Sequence, residues 1–516
     1  MNLKTFARTV ADKYGQKAAI KSGGKVLSYA ELDKASNQAA NVFLSLGIKR
    51  GDRIAFLLGN SPEFIVAFFG VVKIGAIAVP LDPKYKLAEL KSLFADCQPA
   101  MLLTESPCLD SLLPSLPGFK HIENVLSFTP KVAAPAVSFQ ELLNASPSSP
   151  PLVEPADSDT AAIAYTSGAA FDPRGIMLSH ASMTFEAEIS GEGFAQSEKD
   201  IVPVFALPLH HAAGLTIVGL TSLYRGSTLV MHPGLSMPSL LELIEREKAT
   251  LFIGVPFVFS LLVSHAEEEG IKNDISSLRL CASGGSPLPV PVSVRFKQLY
   301  GRHIAQFWGL TEITAHITVQ AVDGSGVLGS IGKPLRGCEV GVVDDAGHKL
   351  SSNKTGELIC RGPLMQGYHK KPEATAEVIR NGWLYTGDIG HIDSNGNIFI
   401  TGRKKDLIIP KGQNIAPGDI EQVLLLHPKV AEAAALGVPD DPRGEIIVAV
   451  VRPKKGEAVS ESELKHLCLD NLANFKLPKE YLIVDFPLRS PDGKIDKSAL
   501  RRRLSLTPVF AGGLSP

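Results

Sequence analysis

Apolar residues in SYAELDKASNQAANVFLSL (28–46) recur at helical spacing and stop at Gly47, and the run RIAFLLGN (53–60) that follows suits a buried strand. The alternation continues: SPEFIVAFFGVVKIG leads into AIAVPLDP, and KLAELKSLFADCQ leads into AMLLTE. Helices alternating with short apolar strands predict βαβ units and a mainly parallel sheet. The Pro/Ser-rich segment 146–157, SPSSPPLVEPAD, reads as a surface connection, and the strand AAIAYT (161–166) follows it. Beyond about residue 325 the texture changes to short strands with Gly and Asp turns: VGVVDDAG, GELICRG and GHIDSNGNIFITGR. After GRKKD (402–406) a second helix–strand alternation begins, through DIEQVLLLHP, AEAAALGVP, EIIVAVVRP and SESELKHLCLDNL. The expected fold is α/β. A large N-terminal domain (1–402) of mixed, mainly parallel sheets packed with helices carries a β-rich subdomain, and a small α+β C-terminal domain (403–516) follows. No repeat of 20–50 residues is present.

A chain of 516 residues exceeds what one hydrophobic core usually supports, which fits this division. Lys+Arg (52) and Asp+Glu (53) nearly cancel, so no overall field favours nucleic acid or anionic lipid. The six cysteines are scattered with no CxxC pair, which argues against a disulfide framework or a cysteine zinc site and suits a reducing, cytoplasmic setting. The most apolar stretch, FIVAFFGVVKIGAIAVP (64–80), is short and broken by Lys73, so a buried helix and strand are expected there and not a membrane span.

Four stretches carry candidate chemistry. In AYTSGAAFDPRG (164–175), a Gly-containing turn after a buried strand can converge N–H groups on phosphate oxygens, with Thr166, Ser167, Gly168, Arg174 and Gly175 completing a cradle. It is not a Walker A loop, and read alone an ordinary strand–turn connection is the better reading. In QFWGLTEITA (306–315), a flat aromatic can cover a purine and a carboxylate can hold Mg²⁺, a hard cation that takes oxygen ligands; a core Trp and a solvated Glu are the plain alternative. Asp388 in WLYTGDIG can accept a ribose diol or simply belong to a β-turn. Lys494 in SPDGKIDKSALRRR lies in a tight turn before a basic helix, where a lysine is usually solvated.

Taken together and in order, TSG…PRG, PLHHAAG (208–214), ASGGSPL (282–288), FWGLTE (307–312), YTGD (385–388), GRKKDLIIPKGQNIAP (402–417) and PDGKI (491–495) resemble the adenylate-forming superfamily, whose members include acyl- and aryl-CoA synthetases. The resemblance runs from about residue 28 to the last basic helix. It implies an ATP-dependent acyl-CoA synthetase that converts a carboxylic acid, ATP and coenzyme A through an acyl-adenylate into acyl-CoA, AMP and pyrophosphate. Carried over position by position, it implies that Thr166–Gly175 hold the β,γ-phosphates, Glu312 binds Mg²⁺ and Thr311 contacts the α-phosphate. Gly284, Gly285 and Ser286 with Trp308 would sandwich the adenine, Phe307 and Gly309 would border the acyl pocket, and Asp388 and Arg403 would hold the ribose. Lys494 resembles the adenylation lysine on a mobile C-terminal domain that pivots near Lys405. Gly412 matches the glycine past which the pantetheine arm runs, and His211 matches the histidine beside the acyl pocket; His210 reads as structural.

Gly309 replaces the tryptophan that closes the pocket in small-acid members, and Phe307 replaces a usual glycine. A medium-chain, branched, alicyclic or aryl acid is therefore expected. The phosphate loop departs from the family's TSGTTGxPKG at Ala169, Ala170, Phe171 and Arg174. Arg keeps the charge, but the lost hydroxyls are expected to slow or bias adenylation. The alternatives are a stand-alone adenylation enzyme that loads a carrier-protein thiol, and a catalytically weak acyl-CoA or nucleotide-binding protein. The expected partners are small molecules, with no nucleic acid and no membrane span, and the chain is expected as a monomer or homodimer.

Overall fold

Helix Tyr29–Ser45 starts where Ser28 caps it: the Ser28 hydroxyl accepts from the Glu31 N–H, and the Glu31 carboxylate accepts from the Ser28 N–H in return. Such a reciprocal cap satisfies two of the orphan donors at a helix start. The helix packs on Pro62–Lys73, which is buried along its whole length from Phe64 onward. Gly70 allows the close approach, since a Cβ there would lie 2.6 Å from the Ala39 methyl. Lys73 is buried as well, and its ammonium donates to Asp33 (2.6 Å), Ser36 (2.6 Å) and Asn37 (2.7 Å), so the charge that broke the apolar run is fully satisfied inside the protein.

The computed structural model describes the chain except residues 107, 130–133, 166–172, 206, 232–235, 409–414, 416, 441–443, 473, 491–494 and 506–516, and gives only the backbone of residues 405, 439, 440, 444, 475, 498 and 505. An eight-stranded sheet runs, edge to edge, through Gly367–Tyr368, Gly175–Ser179, Thr160–Tyr165, Ile77–Pro80, Arg53–Leu57, Met101–Thr104, Asn124–Ser127 and Val137–Ser138. From Thr160–Tyr165 to Val137–Ser138 the neighbours are parallel; the two pairings at the other edge are antiparallel. A four-stranded sheet joins Ile201–Val204, Thr228–Met231, Ala18–Ser22 and Lys25–Ser28. A five-stranded sheet begins with the parallel strands Leu251–Gly254, Leu280–Ser283 and Ile304–Trp308.

The expected change of texture is present. Glu339–Val343, Gly356–Arg361, Trp383–Ile392 and Ile398–Arg403 pair in antiparallel fashion around a separate apolar cluster that includes Trp308 and Leu358. Beyond it, Val430–Asp440, Gly444–Pro453 and Glu480–Ile483 form a three-stranded sheet, flanked by helices Pro417–Leu425, Glu461–Asn471 and Lys497–Ser505 and carrying its own cores. Among the described residues, no helix is long and apolar enough to cross a membrane.

Candidate active site

Three strands deliver the candidate residues at their carboxyl ends, the edge at which open α/β sheets bind ligands. Thr160–Tyr165 ends at the TSG loop, Leu280–Ser283 ends at Gly284, and Ile304–Trp308 ends at Gly309. The loop itself joins two antiparallel neighbours, with Tyr165 opposite Gly175 in register. Gly175 has no room for a side chain, because a Cβ would sit 2.7 Å from Ile163 and 3.0 Å from the Tyr165 hydroxyl. Thr166, Ser167 and Gly168, the Ala169–Phe171 departure, Gly412 and Lys494 lie outside the described residues, as does the side chain of Lys405.

Arg174, at the far end of the loop, is described, and a residue that sequence reasoning did not single out organises its surroundings. Tyr368 lies on the edge strand paired with Gly175–Ser179; the Arg174 guanidinium carbon sits 5.8 Å from its ring centre, and its hydroxyl donates to Glu312 Oε1 at 3.0 Å. Burial and the Glu312 charge both raise the Tyr368 phenol, with Arg174 opposing them in part, so it stays a protonated donor. The Glu312 backbone carbonyl accepts from Met365 N–H at 2.8 Å, so the short helix Thr311–Ile313 is tied to the segment that supplies Tyr368.

Glu312 and its neighbour Thr311 are half-buried. A single half-exposed carboxylate beside a hydroxyl is a hard-oxygen donor set, with the rest of the coordination left to water and phosphate oxygens, and this suits Mg²⁺.

The second centre is Asp388. Its Oδ2 accepts from the Trp308 indole N–H at 2.8 Å and its Oδ1 meets Arg403 Nε at 2.8 Å, within the paired strands Trp383–Ile392 and Ile398–Arg403. The carboxylate is 3% exposed. Burial pushes its proton affinity up, Arg403 and Trp308 pull it back, and Glu312 adds a repulsion. Both oxygens keep a lone pair for a hydroxyl donor. Trp308 is itself only 7% exposed, so in this state its indole serves Asp388 first and offers little face to a purine.

Phe307 points to the opposite side of the same strand. It lies against Gly284, where a Cβ would meet its ring at 2.2 Å, and touches Phe194 (5.7 Å between centres) and His316 (5.2 Å). Beneath it, fully buried His316 and Glu186 pair at 2.9 Å, with Ser190 bonded to both. Gly285 has φ +83°, a conformation that favours glycine, and Ser286 follows it, half-buried.

At Gly309 the reading from sequence needs revision. A Cβ there would lie 2.1 Å from the Ala315 carbonyl oxygen and 2.3 Å from His316 Cα. The glycine is therefore required by backbone packing, and its lack of a side chain is not by itself a sign of an open acyl tunnel.

His211 precedes a π-helix, Gly214–Leu220, and its carbonyl accepts from Leu215 N–H at 2.9 Å. A Cβ at Gly214 would strike the Pro208 carbonyl at 1.9 Å, so the turn that presents the two histidines depends on that glycine. His210, read from sequence as structural, sits 3.6 Å from Asp82, a residue with no signal of its own in the sequence.

The arrangement brings together one metal-competent carboxylate just beyond the strand Ile304–Trp308, a loop with an arginine at its end, and a buried ribose-competent carboxylate supplied by the antiparallel strand Trp383–Ile392. Two family profiles match the chain: AMP-binding enzyme over residues 7–369 and AMP-binding enzyme C-terminal domain over residues 419–494. The chain belongs to the AMP-binding enzymes, the adenylate-forming family. Within it, the protein is an AMP-forming acid–thiol ligase of the acyl-CoA synthetase class.

A feruloyl-CoA synthase from Amycolatopsis sp is 33% identical over 493 residues, covering 94% of this chain and 95% of the relative. An indoleacetate–CoA ligase from Aromatoleum aromaticum is 31% identical over 94% of this chain and 95% of its own length. Among solved structures, ATP-bound MatB from Rhodopseudomonas palustris superposes with a TM-score of 0.90 at 30% identity, covering 98% of this chain and 99% of that one.

Proposed function

We propose that the protein activates a compact carboxylic acid with ATP and transfers the acyl group to coenzyme A. The observation that carries this reading is the pair of centres Arg174–Tyr368–Glu312, beside the loop, and Trp308–Asp388–Arg403. In the first half-reaction a carboxylate oxygen attacks the α-phosphorus and pyrophosphate leaves with the bonding pair. Arg174 and the loop N–H groups take up charge on the β,γ-phosphates, Thr311 steadies the α-phosphate, and Asp388 accepts the ribose hydroxyls. Glu312 would hold Mg²⁺, which when bound neutralises triphosphate charge. Lys494, on a mobile C-terminal domain (403–516) pivoting at Lys405, supplies a further cation to the reacting oxygens. In the second half-reaction the thiol sulfur attacks the acyl carbonyl and AMP departs, with the pantetheine arm passing Gly412 and His211 beside the acyl group.

Phe307 narrows the acid choice. Its ring fills the space over Gly284 and rests on Phe194 and His316, which shortens the pocket and favours an aryl, alicyclic or branched acid over a long linear chain. Relatives named for feruloyl and indoleacetate substrates agree with this choice, while relatives named for long-chain fatty acids set the alternative that the test must exclude. A panel of carboxylic acids assayed for AMP release, with and without coenzyme A, tests both parts. Aryl or branched acids should lead in kcat/KM, and AMP release should rise with coenzyme A. A lead for acetate or a long-chain acid would refute the pocket reading, and no AMP release with any acid would leave a binding protein.

A further inference from the structure

Asp82, His210 and His211 bring together a carboxylate and two imidazoles whose ligand-capable atoms all lie within 4.8 Å of one another. We propose that these three residues form a binding site for a divalent transition-metal ion, Zn²⁺ being the best match, distinct from the magnesium position at Glu312. The donor set decides the metal: two imidazoles and one carboxylate suit Zn²⁺ or Co²⁺, whereas Mg²⁺ prefers oxygen alone.

The geometry is held by its backbone. Asp82 follows strand Ile77–Pro80, with its carbonyl accepting from Tyr85 N–H at 3.0 Å and its Oδ1 accepting from Lys84 N–H at 2.8 Å. That leaves Oδ2 directed at His210 Nε2, 3.6 Å away. On the other side, the His211 N–H donates to Pro208 and the Leu209 N–H to Asn60 Oδ1 at 2.8 Å, which fixes the turn carrying both rings. The ring centres are 4.5 Å apart. Bonds of about 2.0–2.1 Å place tetrahedral donors about 3.3 Å apart, so closing on one ion asks for side-chain shifts of about 1 Å.

A second observation points the same way. The His210 side chain is only 10% exposed, and neither of its ring nitrogens has a hydrogen-bond partner. An imidazole left so in a protein interior carries an uncompensated cost that an ion would remove. Three protein ligands leave a fourth position for water or a substrate atom. Because His211 is read above as the residue beside the acyl pocket, an ion there would restrain it and slow thiol transfer; that consequence, unlike the binding itself, rests on the proposed function.

The test uses the full chain freed of any histidine tag. Co²⁺ titration should give visible d–d absorption saturating at one ion per chain, abolished by competing Zn²⁺, and Zn²⁺ should raise the melting temperature. His210→Ala and Asp82→Asn, each checked for an unchanged circular dichroism spectrum, should weaken Co²⁺ binding at least about tenfold. No visible band, or binding unchanged in both variants, would overturn the site. A site that binds Co²⁺ while the acid panel stays silent would support the site and sink the ligase reading alone. Thiol transfer unmoved by saturating Zn²⁺ would overturn the restraint on His211.

Discussion

Tyr368 ties the loop arginine to the candidate magnesium carboxylate through one hydroxyl. Tyr368→Phe keeps the ring under Arg174 and removes only the donor to Glu312. A hydrogen bond to a charged group contributes about 1.5–3 kcal/mol, so kcat/KM for ATP is expected to fall about tenfold or more, with the Mg²⁺ requirement shifted and folding intact. A change confined to thermal stability would show that Tyr368 merely packs. Trp308 illustrates a different lesson at the same scale. Its indole N–H is committed to Asp388, so in this state the ring that sequence assigns to the purine supports a buried carboxylate instead.

At the level of elements, the candidate phosphate loop is flanked by two anchored strands. Tyr165 and Gly175 face each other in the ladder, and Gly175–Ser179 is held on its other side by Gly367–Tyr368. The combined change Ala169→Thr, Ala170→Thr and Phe171→Gly should therefore raise pyrophosphate exchange while leaving the melting temperature within about 2 °C; unchanged exchange would show that the loop does not limit adenylation. Helices and strands here were legible because each carries its own signal: Ser28 and Glu31 mark a helix start, and short apolar runs bounded by Gly, Pro or Asp mark strands. The seven ordered motifs made the family legible too. Tyr368, Asp82 and the His316–Glu186 pair were not legible, because each acquires its meaning from a partner far along the chain that only the sheet topology brings near. Gly309 misled for a related reason: a missing side chain looks the same in sequence whether it opens a tunnel or admits a backbone.

On the scale of the molecule, the N-terminal helix Leu3–Tyr14 is docked by contacts from the middle of the chain. Leu3 N–H donates to His180 Nδ1 at 3.2 Å, Phe6 stacks on Tyr224 at 5.7 Å, and Lys4 donates to the carbonyls of Pro151 and Val153. Burial lowers the His180 imidazole to about 4, with Asp159 and Asp157 opposing in part, so the folded protein holds it neutral. Between that value and the unfolded value of about 6.5, the unfolded chain binds the extra proton, and stability falls as the pH drops through the window. From pH 7.5 to 5 the loss attributable to His180 should be about 2 kcal/mol, read as a lower urea midpoint, and His180→Gln should flatten that part of the slope. An equal slope in the variant would assign it to other groups.

The same docking has a consequence for synthesis. The first helix meets Tyr29–Ser45 and Pro62–Lys73 early, with Phe6 stacked on Phe69, but its contacts to residues 151–153, 180 and 224 and the pairing of Ala18–Ser22 with Thr228–Met231 wait for the later chain. Part of the apolar face of this helix therefore stays uncovered until Tyr224 and the strand Thr228–Met231 have been made.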